Sequence, residues 1–570
     1  MKRARRDRPV LLIGAGTGEA TCGILYVASY ARRAGIETYV RLTDGDETEA
    51  EMERSLSEYL RHLQPRLVGI SLKWFHHLAR ALQLARIIKR LDPSVEVALG
   101  GNSASWFWKE LLAFEEIDHL VLGDGELPFL SLCRGDDPPI NVVSRARGVP
   151  NLKNPLQYVQ GARSDDLHYS HFDQLFLSEV DRSSFSGWVA PGKGCGENCL
   201  YCGGTRGMQK ATFGRAKPFL RPPEAVVKDH LEIAPFTWQL RYDFQGSSAE
   251  FLEACWGDVD LSKHSTTYFL WGVPPPELID ALCARFARLF MVLDIGCFAQ
   301  SQRVKMMKLG LLKPCPTDAE LMKVIEHART HQNLELEISG IASLPFATPQ
   351  ALKEEAALIR RLLAMNCTIG YQRLESQPGA LVTEHPARFH MKSEATSFAE
   401  FLHYFQHVDP SARTVPMVRY ADVKLEAHVT KVFDELDQEI VEHHAKREHM
   451  AVELDTTLVD ASAAVRKLSL GQWLGDHRVP AKLRNEPVTA VRSSNGTGLV
   501  CAPTLDPRRF SDLSLHQHDE GRAVLATLAE FARPTSVRKA ITALKKQRLD
   551  PDAAFELVHH LTQARFLGVR

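Results

Sequence analysis

Cys195-Gly-Glu-Asn-Cys199-Leu-Tyr-Cys202 places three thiols at spacings of four and three residues within one short loop. Three such ligands hold three irons of an iron-sulfur cube and leave the fourth open. Cluster proteins that only pass electrons supply four cysteines, whereas an open position on a metal is where a substrate or cofactor binds, the distinction that separates catalytic from structural zinc sites. A zinc site here would need a second pair of Cys or His ligands at short spacing. The next cysteine is Cys255, far along the chain and beside Trp256. The other eight of the eleven cysteines are scattered singly and read as small buried hydrophobes. The loop therefore points to chemistry at iron.

Around that loop lies a chain of 63.8 kDa, too long for one core at roughly 100 to 200 residues per domain. Four stretches are expected: a first domain over 1–150, a linker over 151–185, a second domain over 186–420 and a third over 421–570. A net charge of -1 and a pI near 7.1 provide no excess of either sign to drive nucleic-acid or membrane-surface binding. The basic start, Lys2, Arg3, Arg5, Arg6 and Arg8, precedes an apolar run that ends at Gly14, too short for a secretory signal. No apolar run reaches the roughly 18 to 20 residues that span a bilayer. The expectation is a cytoplasmic monomer with reduced cysteines.

Upstream of the loop, short β-rich runs alternate with helical stretches. Strands are expected at Val10–Ile13, Glu37–Leu42, Leu67–Ser71, Val95–Leu99 and His119–Leu122, with helices at Gly23–Ala34, Glu49–Leu63 and Leu78–Leu91 between them. Such alternation predicts an α/β domain with a parallel sheet covered on both faces, whose ligand sits at the strand carboxyl ends. Those ends read Gly14-Ala-Gly16-Thr17-Gly18, Ser71-Leu-Lys73-Trp74, Gly100-Gly101-Asn102-Ser103 and Gly123-Asp-Gly125-Glu126. Glycines there admit close backbone approach, so this edge suits a broad, flat ligand. A dinucleotide is the rival, but Gly14-x-Gly16-x-x-Glu19 lacks the third glycine of the nucleotide fingerprint.

Downstream, the alternation returns at longer period. The first strand, Gly187–Ala190, leads into the cysteine loop, and five more follow at Thr237–Phe244, Thr266–Leu270, Leu289–Ile295, Leu334–Ile338 and Cys367–Arg373. In barrels of this kind reactive groups gather at the strand carboxyl ends. Beyond Tyr420 a charged helix is expected over Val429–Ala445. Three short helices, Asp519–Phe531, Thr535–Leu544 and Pro551–Leu561, are flanked by Ser511–Leu515 and Phe566–Val569.

The Cys-x-x-x-Cys-x-x-Cys pattern, with Tyr201 before its last cysteine, resembles the signature of the radical S-adenosylmethionine superfamily. That resemblance implies a partial (β/α)6 barrel, a 4Fe-4S cluster on Cys195, Cys199 and Cys202, and S-adenosylmethionine chelating the fourth iron. It puts Tyr201, Gln245, Gln300 and Arg303 on the adenosylmethionine. Arg303 has a physical case as well, since a guanidinium pairs bidentately with a carboxylate. Tyr371, Arg373 and Glu375, at the end of the sixth strand, would face the substrate. The usual Gly-Glu pair after the second strand is missing.

The glycine loops ahead of the cysteine motif look like a Rossmann-like cobalamin-binding domain, which heads one branch of that superfamily. Cobalamin would then rest on Thr17, Ser71, Lys73, Gly100, Gly101, Asn102, Gly123, Gly125 and Glu126. The loop after the first strand has no histidine, so cobalt should lack a ligand from it. Lys73 would approach the lower corrin face, with His76 and His77 as replacement ligands. Glu277, after Pro274-Pro275-Pro276, could close the open iron, although a first-turn glutamate is also favoured by the helix dipole.

What the resemblance implies is a cobalamin-dependent radical methyltransferase. In that family cob(I)alamin takes a methyl group from adenosylmethionine, and methylcobalamin passes it to a carbon of a small molecule or peptide. The missing histidine, Lys73 and Glu277 make the chain similar to the tryptophan C-methyltransferase branch of thiopeptide biosynthesis. An external electron donor of flavodoxin or ferredoxin type would serve the cluster. The tail is similar to the winged-helix peptide-recognition modules of ribosomal peptide tailoring enzymes. Two other readings stand beside this one: a radical cyclase or rearrangement enzyme without net methylation, and a cluster-based redox sensor.

Overall fold

The computed structural model describes residues 8–15, 21–43, 47–136, 139–147, 166–176, 187–215, 217–237, 239–243, 248–331, 333–407 and 415–452; beyond these it describes 466–469, 487–490, 499–501, 526–527, 530, 537–546, 554 and 567–569. The first domain alternates β1 (Val10–Gly14), α1 (Thr21–Arg33), β2 (Thr38–Leu42), α2 (Glu49–Leu63), β3 (Leu67–Ser71), α3 (Leu78–Leu91), β4 (Glu96–Gly100), α4 (Asn102–Trp106), β5 (His119–Val121) and α5 (Glu126–Arg134). The order β2-β1-β3-β4-β5 is parallel throughout, and a short sixth strand, β6 (Val142–Ser144), closes the edge antiparallel to β5.

Local sequence explains these elements. In α2, Met52, Leu56, Leu60 and Leu63 form the buried stripe, and Thr48 and Glu51 satisfy each other's amides in a capping box. The first domain is also packed from later in the chain: Phe401, on a helix at Phe398–His407, lies edge-on against Phe75, just ahead of α3, at 5.3 Å.

Six parallel strands in sequential order form the second domain: β7 (Gly187–Val189), β8 (Gln239–Asp243), β9 (Ser265–Trp271), β10 (Arg288–Asp294), β11 (Leu334–Ala342) and β12 (Thr368–Arg373). This is the expected partial barrel. Side chains alternate across it: Leu240, Tyr242, Tyr268, Leu289, Met291, Ile338 and Ile369 pack outward into the core shared with the helices.

A fully buried junction welds the two domains. Arg221 and Asp229 are paired at 2.7 Å with both side chains 0% exposed. The Tyr26 hydroxyl of α1 donates to the same carboxylate at 2.6 Å, and the Tyr169 amide donates to its other oxygen at 2.7 Å. Tyr26 and Tyr169 stack with ring centroids 4.2 Å apart. Residues 166–176 therefore do more than connect: Leu167, Tyr169 and Phe172 are buried in the seam.

Outside the barrel, Glu355 is buried in the helix at Pro349–Ala364, and desolvation raises its pKa to about 7 although Tyr371 hydrogen-bonds to it. An unfolded glutamate titrates near 4.3, so between about pH 4.3 and 7 the folded chain holds more protons than the unfolded one. Stability then falls as pH rises through that window and levels off above it. Glu355→Gln is expected to flatten this slope and raise the melting temperature at pH 8, as a thermal-shift series over pH would show.

The tail is described in part. A helix spans Val423–Val452, longer than expected. Val537–Lys546 is helical, as the middle of the three expected short helices, and Leu567–Val569 pairs antiparallel with Leu499–Cys501. Ser511–Leu515 and most of the other two expected helices lie outside the described residues.

Candidate active site

The carboxyl edge of the first sheet faces the barrel across a cavity of about 370 Å³. Ser71, Lys73, Gly100, Gly101, Asn102, Gly123, Gly125 and Glu126 all line it. The far wall is Ala190, Lys193, Gly204, Gln209 and Phe213, which flank the cysteine loop on both sides. Thr17 lies outside the described residues.

The cavity reaches inward between the sheet and its helices because β3 carries Gly69, where a Cβ would stand 2.5 Å from Leu12 and 3.0 Å from Phe129. Gly101 has φ of +112°, and a Cβ there would strike the Leu72 carbonyl oxygen at 2.7 Å, so only glycine turns the chain at that edge.

Two polar atoms of this wall are buried without a partner in the described structure, Asn102 Oδ1 and Glu126 Oε2. Both are acceptors, so a ligand rich in amide N–H groups would satisfy them. The other Glu126 oxygen takes Lys193 Nζ at 2.7 Å, and Asp124 pairs with Arg215 at 2.6 Å. Burial alone would lower the Lys193 pKa, but Asp124 and Glu126 outweigh it and leave it raised. Lys73 Nζ lies 5.5 Å from the Trp74 ring centre and 5.6 Å from that of Trp188, spanning both walls.

Each of the three cysteine sulfurs accepts a backbone N–H: Cys195 from Glu197 at 3.4 Å, Cys199 from Lys313 at 3.3 Å and Cys202 from Gly204 at 3.2 Å. Hydrogen bonds to sulfur are among the features that set cluster potentials. Among the described residues, no group of three containing these cysteines has all its ligand atoms within 4.8 Å of one another. Burial pushes the Cys202 thiol up to about 12, so without metal it keeps its proton, which metal binding must displace. Tyr201 is buried in the same small core as Cys199 and Leu200.

The inner barrel face continues the site. Trp188 and Phe269 stack at 6.3 Å with rings 3° from parallel. Glu335 pairs with Arg288, and a Cβ at Gly370 would meet Glu337 and Ser339, placing these residues on the face opposite the core.

Several expected site residues are committed elsewhere. Arg303 is wholly buried, its guanidinium donating to the Cys297 carbonyl at 2.7 Å and pairing with Asp318; it closes a loop and is not free for a substrate carboxylate. The Gln300 side-chain oxygen is taken by the Asp318 amide at 2.6 Å. Tyr371 and Arg373 share the outward face of β12 with Ile369. Tyr371 stacks on Phe433 and Arg373 pairs with Glu426 of the long helix, so neither faces the barrel interior. Glu375 binds His76 at 3.5 Å. Neither His76 nor His77 lines the cavity, and burial lowers the His77 pKa to about 4.

Glu277 is exposed in the first turn of its helix, whose preceding Gly272 stands near the Pro314 carbonyl. Gln245 lies outside the described residues. Sequence reasoning passed over Lys193, two residues before Cys195, and Lys313. Lys193 carries a local signal, a lysine in the run Pro191-Gly-Lys-Gly194 just ahead of Cys195, whereas Lys313 meets Cys199 only through the fold.

Comparison with known proteins agrees with this geometry. The B12 binding domain family matches residues 9–132. The radical S-adenosylmethionine methyltransferase TsrM from Kitasatospora setae, with cobalamin and a 4Fe-4S cluster bound, superposes with a TM-score of 0.57 at 15% identity, covering 75% of this chain and 91% of that one. TsrM with tryptophan substrate and the analogue aza-SAM gives 0.56 at 16% identity, covering 75% and 89%. The cobalamin-dependent S-adenosylmethionine radical enzyme OxsB, with aqua-cobalamin bound, gives 0.50 at 10% identity, covering 80% and 70%. No curated protein sequence matches this chain. No helix among the described residues is long and apolar enough to cross a membrane.

Proposed function

We propose that this chain is a cobalamin-dependent radical S-adenosylmethionine methyltransferase acting on a carbon of a small molecule or peptide, with C2 of tryptophan as the first substrate to test. The observation that carries this reading is the shared wall: a loop of three cysteines, each with an N–H on its sulfur, is flanked by Lys193 and Gly204, which line the glycine-edged cavity of the first domain. When bound, the corrinoid supplies a cobalt centre able to accept and donate a methyl group, and the cluster supplies electrons at low potential. Overall, adenosylmethionine and R–H give S-adenosylhomocysteine, R–CH3 and a proton.

The chain's own residues position and shield. Gly100, Gly101, Gly123 and Gly125 would let backbone approach the corrinoid closely, while Asn102 and Glu126 would accept its amide N–H groups. Lys73, which lines the cavity, would keep water from the cobalt centre. Cys195, Cys199 and Cys202 would hold three irons, Tyr201 and Gln245 would serve the adenosylmethionine, and Glu277 would be the candidate to cap the fourth iron. The stacked Trp188 and Phe269 give the barrel interior an aromatic wall suited to an indole. A flavodoxin- or ferredoxin-type donor reduces the cluster, and the chain works as a cytoplasmic monomer.

Asn102→Leu removes an acceptor that would otherwise be satisfied by cobalamin. Cobalamin retention, followed by equilibrium dialysis, is expected to weaken about tenfold, the size of one buried hydrogen bond of roughly 1–2 kcal/mol. The proposal itself is tested by anaerobic reconstitution with iron, sulfide and cobalamin, followed by incubation with methyl-labelled adenosylmethionine and tryptophan, other amino acids or peptides. Label in product together with S-adenosylhomocysteine supports it. Consumption of adenosylmethionine with no label transferred would favour cyclisation or rearrangement, and no consumption at all would favour a sensor.

A further inference from the structure

Lys313 is one of the few buried cations in the barrel, and its two ends do different things. Its backbone N–H donates to Cys199 Sγ at 3.3 Å, and the segment is held against the cysteine loop by a second bond, Leu200 N–H to the Leu311 carbonyl at 2.9 Å. Its side chain is 3% exposed and its ammonium pairs with Asp294, at the carboxyl end of β10, while lying 5.6 Å from the Trp271 ring centre. Asp294 is itself held, its other oxygen accepting the Gly296 amide at 2.7 Å.

Burying the Lys313 ammonium costs desolvation that an apolar side chain would avoid, while the Asp294 side chain stays 24% exposed, so packing alone does not account for the lysine. Because the Lys313 N–H contacts Cys199 Sγ, the ammonium of the same residue and the carboxylate paired with it stand within about a side chain's length of that sulfur. Both charges therefore act on the sulfur, with opposite signs.

We infer that the Lys313–Asp294 pair sets the reduction potential of the cluster held by Cys195, Cys199 and Cys202, with the ammonium favouring the reduced state and the carboxylate tempering it. The inference rests on the cluster reading above. A reduced cluster would carry one more negative charge, and a buried or partly buried neighbouring charge is screened less than an exposed one. Neither side chain touches the reacting atoms; both are positioning residues.

The test is a redox titration, followed by electron paramagnetic resonance of the reduced cluster, on reconstituted wild type, Lys313→Met, Asp294→Asn and the double variant. All four keep the N–H on Cys199 Sγ, so a change reports charge. At the wild-type midpoint, the reduced-to-oxidised ratio is expected to fall about tenfold in Lys313→Met and rise about tenfold in Asp294→Asn, the ratio that about 59 mV gives a one-electron couple. The double variant is expected to lie between them. Shifts of the same sign, or no shift in either, would overturn the inference while leaving the functional reading intact. If Lys313→Met fails to take up a cluster, the sign of the Asp294→Asn shift still decides. A wild type that takes up no cluster would remove the functional reading and this inference with it.

Discussion

Cys199→Ala is expected to yield a folded chain that assembles no cubane and whose methyl transfer falls to background. Cys199 is the middle ligand of the loop and the most buried of the three, at 7% exposure. Its sulfur takes its N–H from far along the chain, from Lys313. On the proposed function, two remaining thiols would not hold three irons, and the open position for adenosylmethionine would be lost with them. The cost to folding is that of a small side chain removed from a minor core, on the order of 1 kcal/mol, far too little to unfold the barrel. Circular dichroism unchanged beside a lost charge-transfer absorption and no S-adenosylhomocysteine is the expected result.

The second large effect is structural. Asp229→Ala is expected to destabilise the chain by about 3–5 kcal/mol, the usual result of stripping one partner from a buried ion pair. The loss strands the Arg221 guanidinium, the Tyr26 hydroxyl and the Tyr169 amide at once, all of which now meet on that carboxylate. Because Tyr26 belongs to α1 and Asp229 to the helix at Pro223–Ile233, the damage falls on the seam between cofactor domain and barrel. Limited proteolysis should cut between the domains in the variant and spare the wild type. Replacing both charges, as Arg221→Met with Asp229→Leu, is expected to recover much of the loss, since no unpaired charge is then buried.

Most of the architecture was legible because its signals are local. The runs Leu67–Ser71 and Leu78–Leu91 and the capped stretch Glu49–Leu63 carry their period and their ends in adjacent residues, and they fold where expected. The cavity-edge residues were legible for a related reason: a parallel sheet places all its carboxyl ends on one edge, so naming the strands names the edge.

What escaped was direction and pairing at long range. Arg373 and Tyr371 were expected to face substrate from their place at a strand end, yet alternation with Ile369 turns them outward, a signal the apolar Ile369 already held. Arg303 was expected on a ligand, but its partner Asp318 lies fifteen residues on, and nothing local announces that pair. The same holds for Arg221 with Asp229 and Tyr26, whose meeting depends on the docking of two domains. The edge strand Val142–Ser144 was missed because three residues pairing with three carry little periodicity.

The central claim is that three sulfurs hold an open cubane across a common wall from a corrinoid. Metal analysis of the anaerobically reconstituted, desalted chain tests it most directly. The account predicts about four irons and about one cobalt per chain, the cubane and corrinoid complement. Bound zinc in place of iron, or cobalt that washes away completely, would contradict it.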